Sequence, residues 1–250
     1  TDRRMVVSID EYSSSEHSIS FGVPQGSVLG PFLFVLYTSP VASILRSHEL
    51  MYHIYADDMQ IYSTGPEAKI DRMTTTFEAC IEKVKEWMTA NKLKLNGSKT
   101  EAIAIINTRK KSETPSDHPL IIDGTDIPLK TEVKSLGVIL DSDLKMNEFI
   151  SDIRKKSIFI LKNIRTIRPF LTEEACAKLV LSLIFSRLDY CNALLFGLSK
   201  SLLEPLQKVQ NFAARVVLGK GRRDDARPLL QQLHWLPVQQ RVEFKAATLG

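Results

Sequence analysis

Cysteine is scarce in this chain: Cys80, Cys176 and Cys191 are the three among 250 residues. They lie far apart, are odd in number and form no Cys-x-x-Cys pair, and the five histidines add no zinc-ligand spacing. A disulfide scaffold and a zinc module are therefore excluded. The cysteines read as small core residues of a protein kept in a reducing, intracellular compartment. Long apolar runs are missing as well. The richest stretch, Val28 to Tyr37, has eight apolar residues in ten, but it contains Gly30 and Pro31. It is too short to span a bilayer, so no membrane association is expected. No apolar signal segment follows Thr1-Asp2-Arg3-Arg4, there is no initiating methionine, and Thr248-Leu249-Gly250 ends the chain inside a helical pattern. Both ends read as cut. No internal repeat or long low-complexity segment occurs.

What is present is ordinary globular material, 44% hydrophobic and 25% charged, enough for one large domain or two small ones. Its charge is uneven. Residues 1–150 carry a net −5 and residues 151–250 a net +9. A basic C-terminal part behind an acidic N-terminal part suits a polyanion held near a metal site. A solvated basic helical surface accounts for the same numbers.

The first 140 residues mix strands with helices. Met5–Ile9 reads as a strand, Ser13-Ser14-Ser15 as a turn and Ser18–Phe21 as the returning strand. Gly22-Val23-Pro24-Gln25-Gly26-Ser27 is a loop of breakers. Ser27 is a candidate N-cap, and the following segment, apolar all round, predicts a buried helix. Ile70, Met73, Phe77, Ile81, Val84 and Trp87 recur at spacings of three and four and predict a helix over 67–90. Residues 100–106 and 133–140 read as strands, 120–129 as a hairpin and 107–118 as a surface loop. Beyond 145 the pattern is helical: one helix ends near Arg168-Pro169, Thr172 caps a second, and Ser199 starts a third that Gly219 closes. Two short helical pieces flank Trp235-Leu236-Pro237.

The stretch around which the chain is organised is Tyr55-Ala56-Asp57-Asp58-Met59-Gln60-Ile61-Tyr62. It predicts a strand, a tight turn carrying Asp57 and Asp58, and a returning strand. Two carboxylates on a rigid tip suit a hard divalent cation, which takes oxygen ligands. The plainer alternative is a soluble acidic turn. Upstream, Gly26 opens a helix whose start can approach a phosphate or base closely, and the Gln25 amide can hydrogen-bond to a base or sugar. A structural glutamine at a helix start explains that segment too.

The combination is more specific than its parts. Gly22-Val23-Pro24-Gln25-Gly26-Ser27-Val28-Leu29-Gly30-Pro31 followed by Tyr55-Ala56-Asp57-Asp58 resembles motifs B and C of the reverse transcriptase domain of non-LTR, LINE-type retrotransposons. Leu93-Lys94-Leu95-Asn96-Gly97-Ser98-Lys99-Thr100 is similar to that family's motif D. Lys134-Ser135-Leu136-Gly137-Val138-Ile139-Leu140-Asp141 is similar to its primer-grip segment. Ser186–Leu195 and Leu233-His234-Trp235-Leu236-Pro237 resemble the region behind the polymerase core. The resemblance covers almost the whole chain. It implies an α+β fold: the C-terminal part of a polymerase palm, an antiparallel sheet with packed helices, over 1–144, then an all-helical thumb-like region over 145–250.

The resemblance also implies the reaction, templated addition of deoxynucleotides to a DNA primer on an RNA template, with two Mg²⁺ ions. Asp57 would be a direct metal ligand and Asp58 a second or outer one. Tyr55 would sit near the primer end, Gln25 and Gly26 on the nucleotide and template side, and Lys99 near the leaving phosphates, with Lys94 as alternative. Arg154, Lys155, Lys156, Arg165 and Arg168 would track the nucleic-acid backbone. Work on chromosomal DNA implies the nucleus; the oligomeric state is open. One departure stands out. The family's motif A supplies a further aspartate on an apolar strand, but Asp2, Asp10, Glu11 and Glu16 are the only carboxylates upstream of Gly22, and none has that context. Motif A and the fingers are thus expected to be absent, and this piece to be inactive alone. The rivals are a catalytically dead nucleic-acid-binding or interaction module and an RNA-templated RNA polymerase, which shares an Asp-Asp hairpin but not the flanking segments.

Overall fold

The computed structural model describes residues 3–19, 26–105, 119–122 and 124–249. The described chain is mixed helix and sheet, with two compact units. One comprises residues 1–100 and 120–126, the other 101–119 and 127–250.

The first unit begins with exposed, paired strands. β1 (Arg3–Met5) pairs antiparallel with β4 (His17–Ile19), and within that loop β2 (Ser8–Ile9) pairs with β3 (Tyr12–Ser13). The reversal therefore falls at Asp10-Glu11 rather than at the expected triple serine, with Asp10 at φ +52°. The serines do something else: the Ser14 hydroxyl accepts from Val7 N–H at 3.0 Å.

Next come α1 (Gly30–Thr38) and α2 (Pro40–Ser47). The N-cap of α1 is Leu29, not Ser27, whose hydroxyl is buried without a partner among the described residues. Pro31 sits in the first turn, where a missing N–H costs nothing. The expectation that this helix is buried fails. Phe32 is 62% exposed and Val35 52%, and Leu33, Leu36 and Tyr37 are exposed as well. The physical reason is that, among the described residues, the contacts α1 makes with α3 (Ile70–Ala90) and its C-cap are at its C-terminal end. There the Tyr37 hydroxyl donates to the Asn91 carbonyl at 2.7 Å, and its ring lies 6.3 Å from that of Trp87.

The core of this unit is made by α2, α3 and the antiparallel hairpin of β5 (Met51–Tyr55) and β6 (Asp58–Tyr62). Val41, Leu45, Leu50, Cys80, Val84 and Met88 are buried, and Tyr52, Ile54, Met59 and Ile61 pack against them from one face of the hairpin. The predicted helix spacing is what aligns Cys80, Val84 and Met88 on one side of α3. β8 (Leu120–Ile122) lies against α3, where Ile121 N–H donates to the Glu78 carboxylate at 2.8 Å, and pairs with β9 (Thr125–Ile127). The expected 107–118 loop lies outside the described residues.

In the second unit β7 (Ala102–Ile103), much shorter than the strand expected over 100–106, pairs parallel with β10 (Leu129–Lys130). The stretch expected as one strand over 133–140 is a hairpin: β11 (Glu132–Ser135) returns as β12 (Val138–Asp141). Leu136 and Gly137 both have positive φ, +46° and +84°, as a two-residue reversal of this hand requires. The helices follow: α4 (Asn147–Ile167), α5 (Glu173–Val180), a π-helical stretch Leu181–Phe185, α6 (Ser186–Asp189), α7 (Lys200–Val217), α8 (Ala226–Gln232) and α9 (Val238–Leu249). Thr172 does cap α5, accepting from Ala175 N–H at 3.1 Å. Their apolar sides converge on one core containing Ile153, Leu161, Val180, Ile184, Leu206, Val209 and Val217.

Candidate active site

The hairpin β5–β6 presents its acidic pair differently from the expected double-Asp turn. The turn is Ala56-Asp57, with Ala56 at φ +52°, while Asp58 already belongs to β6 and stands opposite Tyr55. Alternation along the strands then assigns the faces. Tyr52, Ile54, Met59 and Ile61 go to the core, whereas Met51, His53, Tyr55, Asp58, Gln60 and Tyr62 share the outer face. Asp57 and Asp58 are both exposed. Neither carboxylate has an ion pair or side-chain hydrogen bond among the described residues. The apolar face thus anchors the hairpin while its tip keeps two uncommitted oxygen ligand groups.

The same face holds a feature that motif reading passed over. His53 and Tyr62 stack at 5.4 Å between ring centroids, with His53 Nε2 and the Tyr62 hydroxyl 3.1 Å apart. Period-two alternation, counted forward from Asp58 to Tyr62 and back from Tyr55 to His53, is the sequence signal that places them there. Tyr55, 69% exposed, adjoins Asp58 across the ladder.

The other predicted residues are placed as follows. Gly26 is exposed with φ +88°, a conformation that favours glycine. Gln25 lies outside the described residues. Lys99 is exposed at the end of a short 3₁₀ turn, Gly97–Lys99, and Lys94 is exposed between Leu93 and Leu95, which pack into the core shared with the hairpin. Arg154, Lys155 and Arg165 are exposed on α4 in the other unit, and Lys156 is engaged with Asp152 at 2.7 Å. Arg168, expected along the nucleic-acid backbone, is engaged within the protein. Its guanidinium donates to the carbonyls of Val216, Val217 and Leu171 at 2.7–3.1 Å. It closes the C-terminal end of α7, whose last carbonyls have no intrahelical donors.

Glu16 pairs with Arg4 at 2.8 Å, and Asp10 sits in the β2–β3 turn. Among the described residues no group of three His, Cys, Asp or Glu side chains is placed to hold a metal ion. Asp57 and Asp58 match a hard cation in ligand type, as charged oxygen donors on a rigid support, and constitute part of a ligand set.

A model of the family described as reverse transcriptase (RNA-dependent DNA polymerase) matches residues 2–140. Among curated relatives, a probable RNA-directed DNA polymerase from transposon X-element of Drosophila melanogaster is 31% identical over 157 residues, covering 62% of this chain and 16% of that protein. The RNA-directed DNA polymerase from mobile element jockey of Drosophila funebris is 28% identical over 157 residues, 61% of this chain and 16% of that protein. The chain thus spans about a sixth of the length of these relatives. No solved structure matches. The chain belongs to the reverse transcriptase (RNA-dependent DNA polymerase) family, and the non-LTR, LINE-type affiliation expected from its motifs stands with it.

Proposed function

We propose that this chain is a part of an RNA-directed DNA polymerase that carries half of its metal site. The observation that carries the reading is the exposed, uncommitted Asp57-Asp58 pair at the tip of a core-anchored hairpin, inside the segment matched by the family model. In this reading residues 1–144 belong to the palm and 145–250 to the thumb. Asp57 and Asp58 would hold Mg²⁺, which when bound neutralises charge at the attacking 3′ oxygen and the departing pyrophosphate. Tyr55, next to Asp58 on the outer face, supports the primer end, and Gln25 and Gly26 lie toward the incoming deoxynucleotide. Lys99 faces solvent where a phosphate can reach it. Arg154, Lys155 and Arg165 meet the backbone of an RNA template paired with a DNA primer, in the nucleus. Arg168 is left out of this group because its guanidinium is held against the Val216, Val217 and Leu171 carbonyls. No helix among the described residues is long and apolar enough to cross a membrane.

The second reading, a catalytically dead nucleic-acid-binding module, is favoured by the lack of a third metal ligand among the described residues. Primer extension on an RNA template with Mg²⁺ separates the two aspects. The 250-residue chain is expected to bind primer–template in Mg²⁺-free buffer, with or without Asp57→Ala, and to add no nucleotides. Asp57-dependent synthesis would establish a complete site in this piece. Loss of all nucleic-acid binding on Asp57→Ala in that buffer would overturn the separation of metal binding from nucleic-acid binding.

A further inference from the structure

The segment Leu233–Pro237 joins α8 to α9 and has been given no binding role in the polymerase reading. It borders an open groove of about 600 Å³, whose lining includes Arg227, Gln231, His234, Trp235, Leu236 and Pro237. Among the described residues no carboxylate lines it. We infer that this groove binds single-stranded nucleic acid, seating a base against Trp235, Leu236 and Pro237 and the adjoining phosphates on Arg227, Arg222 and Arg223. The inference rests on the reading that the chain handles nucleic acid.

The groove is rigid before any ligand arrives. Two glutamines of α7 hold the connector by its backbone. Gln210, fully buried, donates to the Leu236 carbonyl at 2.8 Å, and Gln207 accepts from Val238 N–H at 2.8 Å while donating to Gln210 and Asn211. His234 has φ +53°, and Trp235 N–H donates to the Leu230 carbonyl at 2.8 Å. The Trp235 ring is braced edge-on by Phe185, 4.5 Å between centroids. Phe185 in turn lies under the Arg241 guanidinium at 4.7 Å, and Arg241 is paired with Asp189. A fixed aromatic at a groove wall loses little entropy when a flat ligand stacks on it. Any base offers such a face, so stacking is tolerant of sequence.

Arg227 lines the groove, and the loop that precedes it in the chain is rich in cations. The loop that opens α8, Lys220-Gly221-Arg222-Arg223-Asp224-Asp225, carries both signs of charge. Its carboxylates are turned to the backbone. Asp224 accepts from Gly221 N–H at 2.6 Å, and Asp225 caps α8 through Arg227 N–H at 3.1 Å. Lys220, Arg222, Arg223 and Arg227 are exposed, and none has an ion pair among the described residues. Free cations next to a rigid aromatic and apolar wall suit alternating phosphates and bases. An apolar peptide would leave those cations without partners.

Fluorescence anisotropy with labelled oligouridine and oligothymidine of about 16 nucleotides, a length that spans one such site, tests this on the full chain. Arg222→Glu/Arg223→Glu/Arg227→Glu, all at exposed positions, should weaken binding about tenfold or more at low salt and flatten its salt dependence. Circular dichroism melts should be unchanged. In a Trp87→Phe background Trp235 is the remaining tryptophan, so its emission should be quenched as oligonucleotide is added. Equal quenching by both probes assigns the site to single strands in general; quenching by oligouridine alone assigns it to RNA. Unquenched emission, with full affinity in the triple variant and loss on Arg154→Glu/Lys155→Glu, overturns the groove and leaves the proposed function standing. No binding of either probe or of primer–template by the unaltered chain overturns both.

Discussion

At the scale of single residues, neighbours decide what a charged side chain can do. Asp57 and Asp58 are adjacent in sequence, yet one lies in a turn and the other in a strand ladder, and both stay free because the hairpin spends only its opposite face on the core. Arg168 shows the reverse. Seen as one more cation on a basic helix it belongs with Arg165, but it lies where α7 ends and three carbonyls need donors. Arg168→Met should therefore lower stability by about 1–3 kcal/mol, the cost of stranding partly buried carbonyls. Arg168→Lys should recover only part of it, since one ammonium cannot reproduce a planar fork. Urea unfolding of the three proteins measures this; an unchanged midpoint for Arg168→Met would remove the structural role.

Elements obey turn chemistry as much as periodicity. The stretch 133–140, rich in Val, Leu and Ile, passes for one strand, but Leu136-Gly137 reverses it. The turn is then held from another element. The Tyr190 hydroxyl donates to the Leu136 carbonyl, and a Cβ at Gly137 would lie 3.4 Å from the Tyr190 ring. Gly137→Ala should cost about 1 kcal/mol or more, from the positive φ, with the close ring adding to it. Thermal melts of this variant beside Gly124→Ala, also at positive φ but with open space around it, separate the two contributions. The short β7 is tied in by charge. Glu101 accepts from Lys130 at 2.6 Å and from Lys134 N–H, which hold its carboxyl below the usual glutamate range. Its contribution to stability is therefore present above the unfolded value of about 4.3 and disappears as pH falls through the lower folded value. Glu101→Gln should flatten the acid limb of stability against pH. Urea midpoints measured from about pH 6 downward show it, and an identical limb would refute the pairing.

On the scale of the whole molecule, the surface of α1 stands out. Soluble chains expose single apolar residues freely, but contiguous apolar helix surface marks a contact site or a liability. Phe32, Leu33, Val35 and Leu36 are all exposed on this one short helix. The native chain should therefore enhance the fluorescence of an apolar dye such as ANS. Leu33→Lys/Leu36→Lys should remove most of that signal while changing stability by no more than about 0.5 kcal/mol, as for other exposed positions. A dye signal indifferent to these changes would locate the apolar surface elsewhere.

By itself the sequence determined the family-defining motifs, the long helices and the acidic hairpin. Period-3.6 spacing in 70–90 and 149–167 and alternation around Asp57-Asp58 are local signals that survive folding. Tertiary structure decided what local signals leave open. It set whether an all-apolar helix is covered, because that depends on which other surfaces exist to meet it. It gave Arg168 to a helix end, moved Asp58 out of the turn, and split one apparent strand into two at a glycine backed by a tyrosine 53 residues away in sequence. It also assembled the groove at Trp235 from a connector that has no periodicity of its own. Two glutamines on α7, one of them fully buried, hold that connector by its backbone, and a polar side chain goes to the interior only where the fold supplies its hydrogen bonds.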